Sequence, residues 1–214
     1  MSKTTVFINT AMRQTQIALL KERGQTWEKW ESNYSESQTV LVNLKKLLTK
    51  QKTKWSELEG IVACHGPGGF TGTRVGVSVT NAIAFGLKIP LAKIDVFELY
   101  AQRYPEEKGF LVISKINPEE FLVRGFGNLK KMFSEVAIVS EQELIARIKK
   151  KEVKLTGEIL PEEKKKLLLH KNLSWLSSRK PWQLSLEKIS FQKKPVEPWY
   201  FKEAKITLSK KSVS

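Results

Sequence analysis

Short apolar runs alternate with polar positions at the start of the chain. Thr5-Val6-Phe7-Ile8, Gln16-Ile17-Ala18-Leu19-Leu20 and, after a turn at Gly24, Thr26-Trp27-Glu28-Lys29-Trp30 read as three strands of a meander. The period then changes. Val40, Leu41, Leu44, Leu47 and Leu48 fall on one face at helical spacing, behind a capping box at Ser35-Glu36-Ser37-Gln38, which predicts a helix from about Ser35 to Lys50. A buried strand, Ile61 to Cys64, leads into a glycine-rich loop and a helix from about Thr71 to Gly86, with Gly86 as its C-cap. Pro90 opens the strand Leu91 to Ile94. The order is βββαβαβ.

The second half predicts a hairpin, Phe110 to Lys115 with Phe121 to Arg124 across an Asn117-Pro118 turn, then a strand over Val136 to Val139. Ser140-Glu141-Gln142-Glu143 is a second capping box, opening a helix to about Lys150. A short strand over Val153 to Thr156 and a helix around Lys164 to Leu169 follow, and little else is patterned between Glu162 and Lys194.

The segment His65 to Gly76 holds five glycines in twelve residues, a density that element interiors avoid. Three readings stand. A strand, a glycine turn and a helix N-terminus form an anion site, which points to phosphate at Gly68, Gly69 and Thr71. The Lys-Ser/Thr pair of a P-loop is missing, however, and the spacing does not fit a dinucleotide fingerprint. Alternatively Gly72 and Gly76, continued by Thr80 and Ala84, form a row of small residues for close helix packing. The third reading is turn geometry alone.

Composition narrows the class. A single cysteine, Cys64, excludes an intrachain disulfide and fits a reducing cytosol. No charged-then-apolar leader and no membrane-length apolar run is present, so a soluble, cytoplasmic protein is expected. Lysine and arginine total 37 against 22 acids, a net charge of +15. Residues 1–105 carry 14 basic and 8 acidic side chains and residues 106–214 carry 23 and 14, so no tail explains the excess. Such a field favours polyanionic neighbours, although runs such as Lys149-Lys150-Lys151 and Lys164-Lys165-Lys166 also suit ordinary solvated faces. The six tryptophans show no stacking-platform motif and are read as core or interface.

Gly66-Pro67-Gly68-Gly69-Phe70-Thr71-Gly72-Thr73-Arg74-Val75-Gly76-Val77 resembles the GPGSFTGLRIGV signature of the bacterial TsaB (YeaZ) family, the non-catalytic partners of TsaD. The likeness continues through Ala82 to Pro90. Val6 to Thr10 resembles the family's opening LxIDTS strand, and Glu197-Pro198-Trp199-Tyr200-Phe201 its C-terminal P-x-Y-L segment. The resemblance implies a two-lobed α/β fold of the actin and Hsp70 class (ASKHA), with a ribonuclease-H-like lobe over 1–105 and a reduced second lobe over 106–214. It further implies a part in threonylcarbamoylation of the adenosine beside the anticodon of tRNA, with TsaD as the catalytic subunit, a TsaE-like ATPase as a further partner and tRNA met through the complex. Pairing through first-lobe helices would use Leu41, Leu44, Leu48, Gly72, Thr73, Gly76 and Thr80, and the same surface would form a homodimer in TsaD's absence. On that reading Gly76→Leu blocks pairing and leaves the chain folded.

The chemistry of a catalyst is missing from the same positions. Where the family's opening strand carries Asp this chain has Asn9, a neutral amide in place of a hard anionic ligand for Mg²⁺. Asp95 is the only aspartate and suits a helix N-cap. His65 and His170 lie far apart without a neighbouring ligand, so no metal site is read, and no Ser-His-Asp triad either. Where relatives show His-Ser-Glu, this chain has Glu36-Ser37-Gln38. The expectation is a scaffold subunit with no catalytic residue and no cofactor of its own, any nucleotide lying at the interface with its partner. The alternatives are an ATP-binding enzyme of the same fold and a stand-alone tRNA-binding module.

Overall fold

In the computed structural model, which describes residues 4–31, 36–149, 151–177 and 182–201, the predicted meander is formed by β1 (Thr5–Asn9), β2 (Gln14–Lys21) and β3 (Gly24–Glu31). β1 and β2 pair antiparallel with Phe7 opposite Ala18, and Gly24 (φ 137°) makes the turn into β3. The sheet then extends on the other side of β1. After α1 (Glu36–Lys50), β4 (Gly60–Cys64) pairs parallel with β1, and after α2 (Phe70–Leu87), β5 (Leu91–Ile94) pairs parallel with β4. Parallel neighbours need crossovers, and the two helices supply them.

Side-chain alternation divides this sheet between two cores. Val6, Ile8, Ile17, Leu19, Ile61 and Ala63 face Val40, Leu44, Leu47 and Leu48 of α1 and Val77 and Ala84 of α2. Phe7, Ala18, Leu20, Val62 and Cys64 face the other way, toward α3 (Val96–Ala101) and Phe110 and Val112 of the second sheet. The leucine stripe of α1 is therefore core for Leu44 and Leu48, which are 0% and 2% exposed.

The second sheet holds β6 (Gly109–Lys115), β7 (Glu120–Gly127), β8 (Ala137–Ser140), β9 (Val153–Glu158) and β10 (Leu173–Trp175), in the order β10-β9-β6-β7-β8. Its outer face is covered by α4 (Glu141–Ile148) and α5 (Pro161–Leu167), around Leu111, Ile113, Phe121, Leu144 and Ile148. The expected hairpin is β6–β7, its turn held by Asn117 Oδ1 accepting from the Glu119 and Glu120 amides. The chain then returns to the first sheet as β11 (Phe191–Gln192), antiparallel to β5, which gives the order β11-β5-β4-β1-β2-β3. This is the two-lobed α/β architecture expected, with the ribonuclease-H-like order in its first sheet.

The two predicted N-caps that fall within the described residues are formed: Asp95 Oδ1 accepts from the Glu98 amide at 2.7 Å, and Ser140 and Glu143 form a reciprocal box. The Ser35 cap lies outside the described residues. Gly86 is not the C-cap of α2; that position is Lys88, in the left-handed region (φ 56°). The helix runs one residue past Gly86 because its apolar side, through Leu87, still packs on the core. α5 begins at Pro161 rather than near Lys164, since Pro at the first turn followed by Glu162 and Glu163 suits a helix start.

Candidate functional site

Thr10 follows the last residue of β1, and α2 lies directly over that exit. Thr10 Oγ1 donates to the Gly72 carbonyl at 2.6 Å. A Cβ at Gly72 would collide with the Thr10 carbonyl, one at Gly76 with Thr10 Oγ1, and one at Gly68 with the Ala11 carbonyl. The glycines thus allow close approach, but to the chain's own first strand rather than to a helix of another protein. Thr73, Gly76 and Thr80 are buried, with Thr80 Oγ1 donating to the Gly76 carbonyl at 2.8 Å. With Leu44 and Leu48 in the core, Leu41 (45% exposed) is the one residue of the expected docking set that lies fully on the surface, Gly72 being half-buried. Gly76→Leu is accordingly expected to disrupt the fold rather than leave it intact, because its side chain would enter the space of Thr10.

The outer faces of the two neighbouring helices carry a different set. Phe85 is 87% exposed, and Val42 beside Leu41 is 51% exposed. Ser78, Ala82 and Phe85 recur at spacings of four and three along α2 and are all exposed, opposite the buried Gly76, Thr80 and Ala84. The motif draws attention to its glycines; the signal for Phe85 was its place off the small-residue row.

The C-terminal segment closes over the glycine loop. The Trp199 amide donates to the His65 carbonyl at 2.7 Å, Asn81 exchanges two bonds of 2.9 Å with the backbone of Val196, and Arg74 Nε donates to the Tyr200 hydroxyl at 3.1 Å. His65 stacks on Trp199, and burial, aided by nearby Lys93, lowers its pKa. Cys64 is wholly buried and its thiol is pushed up to about 12, so it packs as a small apolar side chain.

A cleft of about 740 Å³ opens between the glycine loop and the second sheet, lined by Gly68, Gly69 and Thr71 and by Arg13, Glu31, Lys115 and Glu158 among others. The Gly69 amide is already bonded to the Ala11 carbonyl at 3.0 Å. Asn9 does not face the cleft as a ligand. Its Nδ2 donates to Gln16 Oε1 and Met12 Sδ, and its Oδ1 accepts from the Ala11 amide. Asp95 pairs with Arg124 at 3.2 Å, and among the described residues no three His, Cys, Asp or Glu side chains gather as a metal site.

Glu158 is the titrating group of the cleft. Burial raises its pKa from 4.5 to about 6, against the opposing pull of the Arg13 amide, which donates to it at 2.7 Å. A raised folded-state value means that its stabilising contribution is complete below 4.5 and is lost as pH rises through about 6. Glu158→Gln is therefore expected to melt a few degrees above the parent at pH 7.5, an effect on the order of 1 kcal/mol, with the gap closing below pH 4.5. Thermal melts of both proteins across this range check it; parallel curves would show that burial does not act on this carboxyl.

Residues 31–158 match the family model described as TsaD: tRNA N6-adenosine threonylcarbamoyltransferase. The chain is 30% identical over 64 residues to the tRNA threonylcarbamoyladenosine biosynthesis protein TsaB of Buchnera aphidicola (subsp. Acyrthosiphon pisum), covering 30% of this chain and 29% of that one. It is 27% identical over 66 residues to the protein of the same name from Escherichia coli K12, covering 31% and 29%. The matched region thus spans less than a third of the length of these curated relatives. Among solved structures, YeaZ from Pseudomonas aeruginosa superposes with a TM-score of 0.53 at 22% identity over 65% of each chain. A protein described as similar to peptidase YeaZ from the same organism gives 0.61 at 20% identity, over 72% of this chain and 74% of that one. Among the described residues no helix is long and apolar enough to cross a membrane.

Proposed function

This chain belongs to the TsaD family, in its TsaB (YeaZ) group, and from that premise we propose that it is a docking subunit for a TsaD-type catalytic chain in threonylcarbamoylation of tRNA. It does no chemistry alone, lives in the cytoplasm, and meets tRNA, a TsaE-like ATPase and any nucleotide within the assembly. Its first lobe, to about Tyr104-Pro105, carries the docking helices. The observation that carries this reading is Phe85, a large apolar side chain 87% exposed on the outer face of α2, together with Leu41 and Val42 exposed on α1, the helix that packs against α2. Large apolar groups left in water on neighbouring elements are what an interface buries. Asn9 supports the second part, since its amide is consumed inside the chain and lacks the charge that a Mg²⁺-nucleotide needs. Mixing the purified chain with a TsaD-type subunit, tRNA and the activated threonylcarbamoyl donor tests both parts together: modification is expected only when both proteins are present. Modification by this chain alone would refute the reading.

A further inference from the structure

Part of the excess positive charge lies on the second lobe, away from the docking helices. Lys149 and Lys151 follow α4, and Lys171 follows α5; all three are exposed. They are held together by one side chain, because Asn172 Nδ2 donates at 3.0 Å to the carbonyls of both Lys149 and Lys151. Arg147, also exposed, extends the group along α4, its guanidinium lying 5.0 Å over the Phe133 ring. The nearby acids are largely engaged. Glu141 takes Lys166 at 2.7 Å, Glu143 caps the Ser140 amide and Glu163 pairs with Lys115 at 3.3 Å, while Glu152 beside Lys151 and Glu162 on α5 are exposed. Here two segments distant in sequence are tied through the backbone, which places Lys149, Lys151 and Lys171 together although they follow different helices.

Backbone geometry adds a second observation. Lys149 holds φ 55° and ψ −128°, a conformation that L residues rarely adopt and that glycine would take without strain. A lysine therefore occupies a position where local stability favours glycine.

We propose that this outer face of the second lobe binds the phosphate backbone of RNA. The choice of RNA among polyanions rests on the function proposed above; the site itself does not. Among the described residues this face offers no exposed aromatic ring on which bases could stack. Trp27 and Trp182 contact one another and Trp27 contacts Phe7, Trp199 stacks on His65, Trp30 and Trp55 pack on the first core, and Trp175 packs on the second beneath Lys164. Without exposed stacking rings or base contacts, binding is sequence-tolerant and set by counterion release.

The test is fluorescence anisotropy of a labelled unmodified tRNA with the full chain, across a salt series. The combined variant Lys149→Gln, Lys151→Gln and Lys171→Gln is expected to bind at least tenfold more weakly at low salt. Its slope of log affinity against log salt should be shallower by about two to three, at about 0.7–0.9 per lost phosphate contact. Lys149→Gly alone should weaken binding while leaving the melting temperature unchanged or raised, which a merely structural lysine would not do. Phe85→Glu should bind tRNA as the parent does, so failure of the docking reading and failure of this one are told apart. Parent-like affinity and slope in the triple variant would overturn the proposal, as would stronger binding to phosphatidylglycerol vesicles than to tRNA.

Discussion

Gly76→Ala is expected to lower the melting temperature by about 5–10 °C, the equivalent of about 2–3 kcal/mol of overpacking in a chain of this size. Its methyl group would enter the space of Thr10 Oγ1, a side chain 2% exposed that is itself bonded to the Gly72 carbonyl. Neither partner can withdraw, because α2 is fixed on the sheet and Thr10 directly follows its central strand β1. The argument can be closed with a second substitution. Thr10→Ala removes both the hydroxyl and Cγ2 and leaves only the Thr10 Cβ, which a new methyl at position 76 would meet at an ordinary 3.4 Å. Thr10→Ala should therefore reduce the cost of Gly76→Ala by more than half, although it loses the bond to Gly72 itself. Denaturant melts of the four proteins of this cycle measure the coupling. Equal costs in both backgrounds would show that Thr10 is not what Gly76 makes room for, and Gly76→Leu should fail to fold in either.

Phe85→Glu is expected to abolish capture of a TsaD-type subunit and to leave stability nearly unchanged. At 87% exposure the ring contributes little to the monomer, so its removal does not open a cavity. A buried aromatic anchor at an interface commonly contributes 2 kcal/mol or more, so a carboxylate in its place should weaken pairing by about 30-fold or greater. Val42→Glu should act in the same direction and less strongly. A melting temperature that fell along with capture would place Phe85 in the fold rather than in the interface.

These two residues mark where the amino-acid pattern was and was not legible. The meander, both long helices and the parallel strands follow from a change of period between two and 3.6, and the caps at Asp95 and Ser140 from side chains that bond their own backbone. The need for close approach at Gly72 and Gly76 was equally legible. What approaches was not: a row of small residues specifies a short distance and is silent about its occupant, which is Thr10 of the same chain. Likewise the stripe of α1 announces an apolar face without saying which leucines meet the sheet; Leu44 and Leu48 do, while Leu41 is left at its edge.

β10 and β11 are three and two residues long, too short for any period to register, and their pairing depends on strands far away in sequence. The segment from Glu197 to Phe201 was recognisable as a motif, yet the grip of Val196, Trp199 and Tyr200 on Asn81, His65 and Arg74 rests on contacts across more than a hundred residues. Glu158 reads as an ordinary surface carboxylate until the fold places it in the cleft beside Arg13 and Glu31.

The most direct measurement is calorimetric titration of the purified chain with a TsaD-type subunit, followed by the same titration with Phe85→Glu. Saturable one-to-one binding by the parent and its loss in the folded variant is the predicted result. No heat of association with the parent, or parent-like affinity in the variant, would contradict the assignment of this chain as a docking subunit that binds through the outer faces of α1 and α2.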